Sequence, residues 1–288
     1  MAVVHTLLLF MRPEVLYEDL TRVESCLNSL QTSQYKEVVI YNQGPLSNHQ
    51  LGSYLQKYSG LKIQIIGDGT NVGIVRGRQA CFENVWAHYP HATYISEIHV
   101  DMVFTYDWEA PLVEFLEHNE QEPMVCCGIV DRKGHLYYLY EHVEAPNKRI
   151  KDIHVYLEEL KRDQIVFGVT HPCIHRTAVL KEIGGIDLKI LKGKQSYEDT
   201  SLLIGYYYYM GTKINWRPKV NFNSVVYHEV EGQRMSVDDD KNQNLHCIIK
   251  QYGAMGMKAL THIYPNPSVR DFFENQYEAM LDKEAEGQ

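Results

Sequence analysis

The chain reads as an α/β protein on a mostly parallel central sheet flanked by helices. Three observations carry that reading. Strand-length apolar runs alternate with helical stretches through the first hundred residues, turn-forming residues cluster where the runs end, and the first run, Val3 to Phe10, is apolar almost without break. Continuous apolarity suits a strand covered on both faces, and the strand–helix rhythm suits parallel strands joined by crossover helices.

Val3 to Phe10 is the first strand. Pro13 opens a helix in which Leu16, Leu20, Val23, Leu27 and Leu30 recur at helical spacing, one apolar stripe. Glu37 to Tyr41 is a second strand, ended by the turn Asn42-Gln43-Gly44-Pro45. Ser47 caps a short helix carrying Leu51, Leu55 and Tyr58, and Lys62 to Ile66 is a third strand broken by Asp68-Gly69-Thr70-Asn71. A helix with Cys81, Val85 and Tyr89 on one face follows, and Ala92 to Ser96 begins a fourth strand running towards Asp101. Sheets of this kind bind ligands at the carboxyl ends of their strands. Asp107 is expected to cap a helix bearing Trp108, Leu112, Phe115 and Leu116, Met124 to Val130 is a strand, and His135 to Tyr140 is its hairpin partner. The polar stretch 141–164, with Lys148, Arg149 and Lys151, reads as an insert loop. Ile165 to Thr170 and Ser224 to Tyr227 are later strands, Gly184-Gly185 ends a short helix, and Leu245, Ile248 and Ile249 share a helix near Arg234 and the Asp238–Asp240 run.

At 288 residues the chain is long enough for a large core, expected as one compact unit with two lobes. A net charge of −9 argues against general nucleic-acid binding, which relies on clustered Lys and Arg. No apolar run is long enough to span a bilayer, and the start MAVVHTLLLF lacks a basic leader and cleavage site, so a cytoplasmic protein is expected. The six cysteines show no paired metal spacing; reduced buried thiols are expected, with Cys126 and Cys127 on opposite faces of a strand. The run Tyr206 to Tyr209 points all round a helix, so part packs and part meets solvent or a ligand.

Several residues fall where ligand chemistry is expected. In Asn71 to Ala80, NVGIVRGRQA, Gly73 and Gly77 permit close backbone approach, and Arg76 and Arg78 stand near a helix start where phosphate oxygens can be met. The spacing of Gly67, Gly69 and Gly73 does not make a dinucleotide fingerprint, which excludes a Rossmann dehydrogenase. The fourth strand runs out through YISEIHVDMVF, so Glu97 and His99 share a face ahead of Asp101. Glu198-Asp199 opens a helix after a glycine-punctuated loop, where the helix dipole keeps a carboxylate charged and fit to serve as a base or to anchor a hydroxyl.

Taken together, from Val3 to Val230, these segments resemble family 2 glycosyltransferases of the A-type (GT-A) fold, with a Rossmann-like nucleotide half (1–101), an acceptor half (102–230) and here a helical extension (231–288). The resemblance implies transfer of a sugar from a nucleotide diphosphate donor to an acceptor hydroxyl, by one inverting displacement. It implies that the Asn42 turn and Asn71-x-Gly73 meet the donor with Arg76 and Arg78. His99 and Asp101 take the places of the family's Asp-x-Asp pair, and Asp101 with His228 would hold Mn²⁺ or Mg²⁺. Asp199 is implied as the base and Glu198 as its support, and Ile186 stands where the family has Phe in a Gly-Gly-Phe-Asp loop. The acceptor, whether carbohydrate, lipid-linked or protein, is left open. A catalytically degenerate sugar-nucleotide binder and a sugar nucleotidyltransferase are the competing readings. The latter should show a Gly-rich basic loop after the first strand, which Met11-Arg12-Pro13-Glu14 does not resemble.

Overall fold

The computed structural model describes residues 2–139, 141–146, 152–229 and 238–285. Lys148, Arg149, Lys151 and Arg234, singled out above, lie outside them, as do the side chains of Asp238–Asp240. The elements run β1 (Val3–Phe10), a 3-10 turn at Pro13–Val15, α1 (Leu16–Leu30), β2 (Glu37–Gln43), α2 (Asn48–Leu55), β3 (Lys62–Gly67), α3 (Ile74–His88), β4 (Tyr94–Ile98), β5 (Met102–Val103) and α4 (Ala110–His118). After these come β6 (Met124–Val130), β7 (His135–Leu136), β8 (Glu141–His142), α5 (Ile153–Glu159), β9 (Ile165–Phe167), β10 (Cys173–Arg176), α6 (Thr177–Glu182), α7 (Glu198–Met210), β11 (Lys219–His228), α8 (Asp238–Ile263) and α9 (Pro267–Ala285). Gly253 kinks α8.

One mixed sheet organises them, in the order β3-β2-β1-β4-β10-β6-β11-β5. The first four strands are mutually parallel; β10 runs antiparallel to both β4 and β6, and β6 is parallel to β11. The sequence expectation of a GT-A-like, mostly parallel sheet flanked by helices therefore describes the molecule. Successive strand residues feed two apolar layers. Val38, Cys127 and Ile174 pack with α1, α2 and α4 on one face, and Val39, Cys126 and Cys173 pack with α3, α6 and α7 on the other. All six cysteines are free, and Cys126 and Cys127 do face opposite ways.

Ser47 and Gln50 form the capping box that opens α2. Elsewhere tertiary structure alters the expected boundaries. Asp107 does not cap the helix: it adopts a left-handed turn (φ 46°), its carbonyl accepts from Ala110, and α4 starts at Ala110 with Trp108 already buried. The partner of β6 is shorter than expected, the strand after the insert ends at Phe167, and the insert itself contains α5, capped by Asp152. The C-terminal helices join the main core, because Ile248, Leu260, Ile263 and Phe273 share a layer with Leu203 and Phe222. In the tyrosine run, Tyr206 and Tyr207 are buried while Tyr208 and Tyr209 reach solvent. Among the described residues, no helix is long and apolar enough to cross a membrane.

Candidate functional site

Because β10 runs against its neighbours, the chain enters it at the edge where β4, β6 and β11 finish. His171, just ahead of β10, therefore stands beside His99, just past β4, while Asp101 in turn meets His228, which ends β11. The rings of His99 and His171 stack at 4.8 Å, and those of His99 and His228 meet edge to face at 5.1 Å. His228 Nε2 lies 3.3 Å from Asp101 Oδ1. The backbone fixes this register: the Asp101 carbonyl accepts from the Glu229 amide at 2.9 Å, and β5 pairs with β11 at Met102 and His228. One donor atom each from His99, Asp101 and His228 falls within 4.8 Å of the others, as does a second set from Glu97, His99 and His171. Burial, then the charge of Arg78, holds the His99 imidazolium far below its ordinary pKa, so the ring is neutral. Neutral imidazole is the form that ligates metals. His228 Nδ1 is buried with no partner among the described residues.

Arg78 stands at the centre. It projects from α3, is 7% exposed, and contacts Glu97 Oε1 and His99 Nε2. Its Nη1 is also 3.4 Å from Asp199 Oδ1 and 3.4 Å from His171 Nε2. Asp199 opens α7 beside Glu198, and its side chain remains 38% accessible. Crowding by protein disfavours its charge, but His171 and Arg78 outweigh that and hold its pKa below the ordinary carboxylate range. Glu198 moves the other way, first through burial and then through the charge of Asp199. Two adjacent carboxyls thus differ in proton affinity: Arg78 acts on both but also hydrogen-bonds Asp199, whereas for Glu198 burial and the Asp199 charge prevail.

The acidic pair is aimed by a strained loop. Ser196 and Tyr197 have φ of 74° and 67°, uncommon for residues with side chains. Buried Asn244 of α8 holds this loop, receiving the Gly193 amide at 2.8 Å and donating to the carbonyls of Gln195 and Ser196 at 3.0 and 2.9 Å. The same loop docks on α3: the Lys194 carbonyl accepts from Ile74 at 2.6 Å, and a Cβ on Gly73 would lie 2.4 Å from that oxygen. The close approach at Gly73 is therefore to this loop, and the first amides of α3 are engaged by it rather than open to a phosphate.

The other expected donor residues fall as follows. Asn71 Oδ1 accepts from the Gly73 amide at 3.0 Å. Asn42 is fully buried, donating to the Leu46 carbonyl and Asn48 Oδ1 and accepting from the Gly44 amide, so its amide shapes the turn. Arg76 is exposed; Arg78 is the arginine that reaches the cluster. Gly77 gives room to Leu8, whose Cδ1 would lie 2.4 Å from an added Cβ. Sequence reasoning missed His171, Cys173 and His175. The string His171-Pro172-Cys173-Ile174-His175 places these three at alternate positions, on one face of an extended chain, and that signal was available.

No protein-family model and no curated protein sequence matches the chain. Among solved structures, S. aureus TarS aligns with 96% of this chain and 43% of its own, with a TM-score of 0.50 and 12% identity. A TarS segment, residues 1–349, aligns with the whole chain and 92% of its own length, with a TM-score of 0.49 and 13% identity. The same segment in complex with UDP gives 0.49 and 11%. This chain thus spans less than half of the longer TarS structure, and at such identity the likeness to it concerns the fold alone.

Proposed function

We propose that the protein is a glycosyltransferase that moves a sugar from a nucleotide diphosphate donor to an acceptor hydroxyl, with inversion in one displacement. The observation that carries this reading is the meeting, through Arg78 at the carboxyl edge of the sheet, of an accessible carboxylate, Asp199, with the metal-capable group His99, Asp101 and His228. The GT-A-like fold and the order of these residues along the chain support it. The donor's diphosphate would lie at the ends of β4 and β11. Asp101, a hard oxygen ligand, and His228, whose Nδ1 has no partner among the described residues, suit Mn²⁺ or Mg²⁺, with His99 at the same point. Held there, such an ion would offset charge on the departing diphosphate. The acceptor oxygen attacks the anomeric carbon as the bond to the diphosphate breaks, and Asp199 takes the hydroxyl proton. Arg78 and His171 fix the Asp199 carboxylate and keep it ionised. Glu198 supports the helix start behind it.

A silent sugar-nucleotide binder is the second reading, and one observation favours it: Arg78 already bridges Glu97 and Asp199, which lowers the basicity of the proposed base. Calorimetry of nucleoside diphosphates, UDP first, tests the donor site. Tighter binding with Mn²⁺ than with EDTA is expected, and Asp101→Ala should remove the difference. Equal affinity in both conditions would sink the metal assignment. Turnover by the wild type in any donor–acceptor pair excludes the silent binder.

A further inference from the structure

A third set of donor atoms is closed inside the core. Glu97, Cys173 and Cys126 are register partners in one row across β4, β10 and β6, and His175 lies two residues along β10 on the same face. Each of the four is 1% exposed or less. His175 Nε2 lies 3.1 Å from Cys173 Sγ and 3.4 Å from Glu97 Oε2, and Cys173 Sγ lies 3.9 Å from that same oxygen. A tetrahedral zinc ion, with bonds of about 2.3 Å to sulfur and about 2.0–2.2 Å to nitrogen or oxygen, separates its ligand atoms by roughly 3.3–3.6 Å. The three contacts lie within about 0.4 Å of that spacing.

Two further features fit a metal and not merely a polar cluster. The other ring nitrogen of His175, Nδ1, is 2.8 Å from Tyr206 Oη, the outer hydrogen bond that orients a ligating imidazole. The other Glu97 oxygen is taken by Arg78, which leaves Oε2 facing the thiol and the imidazole.

We propose that Glu97, Cys173 and His175 form a buried zinc site that ties β4 to β10 inside the core, with Cys126, the register partner of Cys173 on β6, beside it. Thiolate donors favour zinc over Mg²⁺ or Mn²⁺, which separates this site from the oxygen and nitrogen donors of His99, Asp101 and His228. The site does not depend on the nucleotide reading, and its test does not use activity.

The full-length protein is purified without chelator from zinc-containing medium and assayed for metal; cobalt is then exchanged in and its absorption recorded. One zinc per chain is expected, with a thiolate-to-cobalt charge-transfer band that persists in Asp101→Ala and is lost in Cys173→Ser. Should Cys173→Ser fail to fold, His175→Gln in the Asp101→Ala background is read instead, with loss of the metal that Asp101→Ala alone retains expected. Zinc-free protein after exposure to excess zinc would show a hydrogen-bonded network only and overturn the proposal. So would bound cobalt without the thiolate band, or metal lost in Asp101→Ala and kept in Cys173→Ser.

Discussion

The halves on either side of the junction between β4 and β10 are built from the same sheet but by different means. From β1 to β4 every strand is parallel to its neighbour and joined to the next by a nearby helix. Its buried histidine, His5, is satisfied there, by Ser96 at 2.6 Å, the Tyr35 carbonyl at 3.2 Å and Ser33 at 3.3 Å. Beyond β4, strand direction reverses at β10, β6 and β11 are separated by almost ninety residues of chain, and the histidines meet charged groups from other segments. Away from Arg78 and the end of β4, the regular half pairs its buried polar groups within itself. The irregular half brings histidines into contact with carboxylates from distant segments of the chain.

The sharpest break of that contrast is Asp199→Asn. It keeps the shape of the acidic pair but cannot accept a proton, so transfer should fall by roughly 100- to 10,000-fold while nucleotide binding survives. Glu198→Gln should cost less. Rates with a working acceptor, or donor hydrolysis in its absence, decide it, and an unaffected Asp199→Asn enzyme removes Asp199 as the base.

The regular half should instead reveal itself in stability. Burial, partly opposed by the Tyr35 carbonyl, lowers the His5 pKa from 6.5 to about 4. The unfolded chain therefore takes up a proton first as pH falls, so stability is lost from about pH 6.5 down to about pH 4 and is unaffected by this group above that window. Between pH 7 and pH 5 the loss from His5 should be about 2 kcal/mol. Urea unfolding at both pH values, compared between wild type and His5→Gln, should show that much less pH dependence in the variant; identical slopes would mean that His5 is not held neutral.

Gly73→Ala probes the seam where the halves touch. With φ of 86° and the Lys194 carbonyl in the way, the added methyl must displace the loop that aims Asp199, at a cost of about 1–3 kcal/mol. Melting temperature and transfer rate should both fall. A variant as stable as wild type would show that α3 and the loop are not locked together. The smallest effect belongs to Ser47→Ala in the regular half, about 1 kcal/mol from loss of the α2 cap, with donor binding unchanged. A change in nucleotide affinity there would mean that α2 reaches the cleft.

Much of the regular half was legible in the sequence, because its signals are local. The helical stripe from Leu16 to Leu30, the turn expected at Asn42–Pro45, which the structure begins two residues later, and the Ser47 cap each depend on residues a few positions apart. Local signals also located the start of α7 at Glu198, since the glycine pair and the acidic first turn are neighbours in the chain. Asp107 shows the limit: it is a good capping residue by type, yet burial of Trp108 and Glu109 draws the chain through a left-handed turn and the helix begins later.

The sequence by itself therefore determined the order of strands and helices, the apolar faces they bury, and the candidate status of Asp101, Asp199 and His228. Only the tertiary structure decided that Asn42 turns inward to its own loop, that Gly73 makes room for Lys194, and that Arg78 joins Glu97 and His99 to Asp199. It also placed His171, Cys173 and His175 in the cluster. The physical reason is the reversed strand β10: its antiparallel register against β4 and β6 sets which side chains face one another across the sheet, and periodicity within a single strand carries no information about that register.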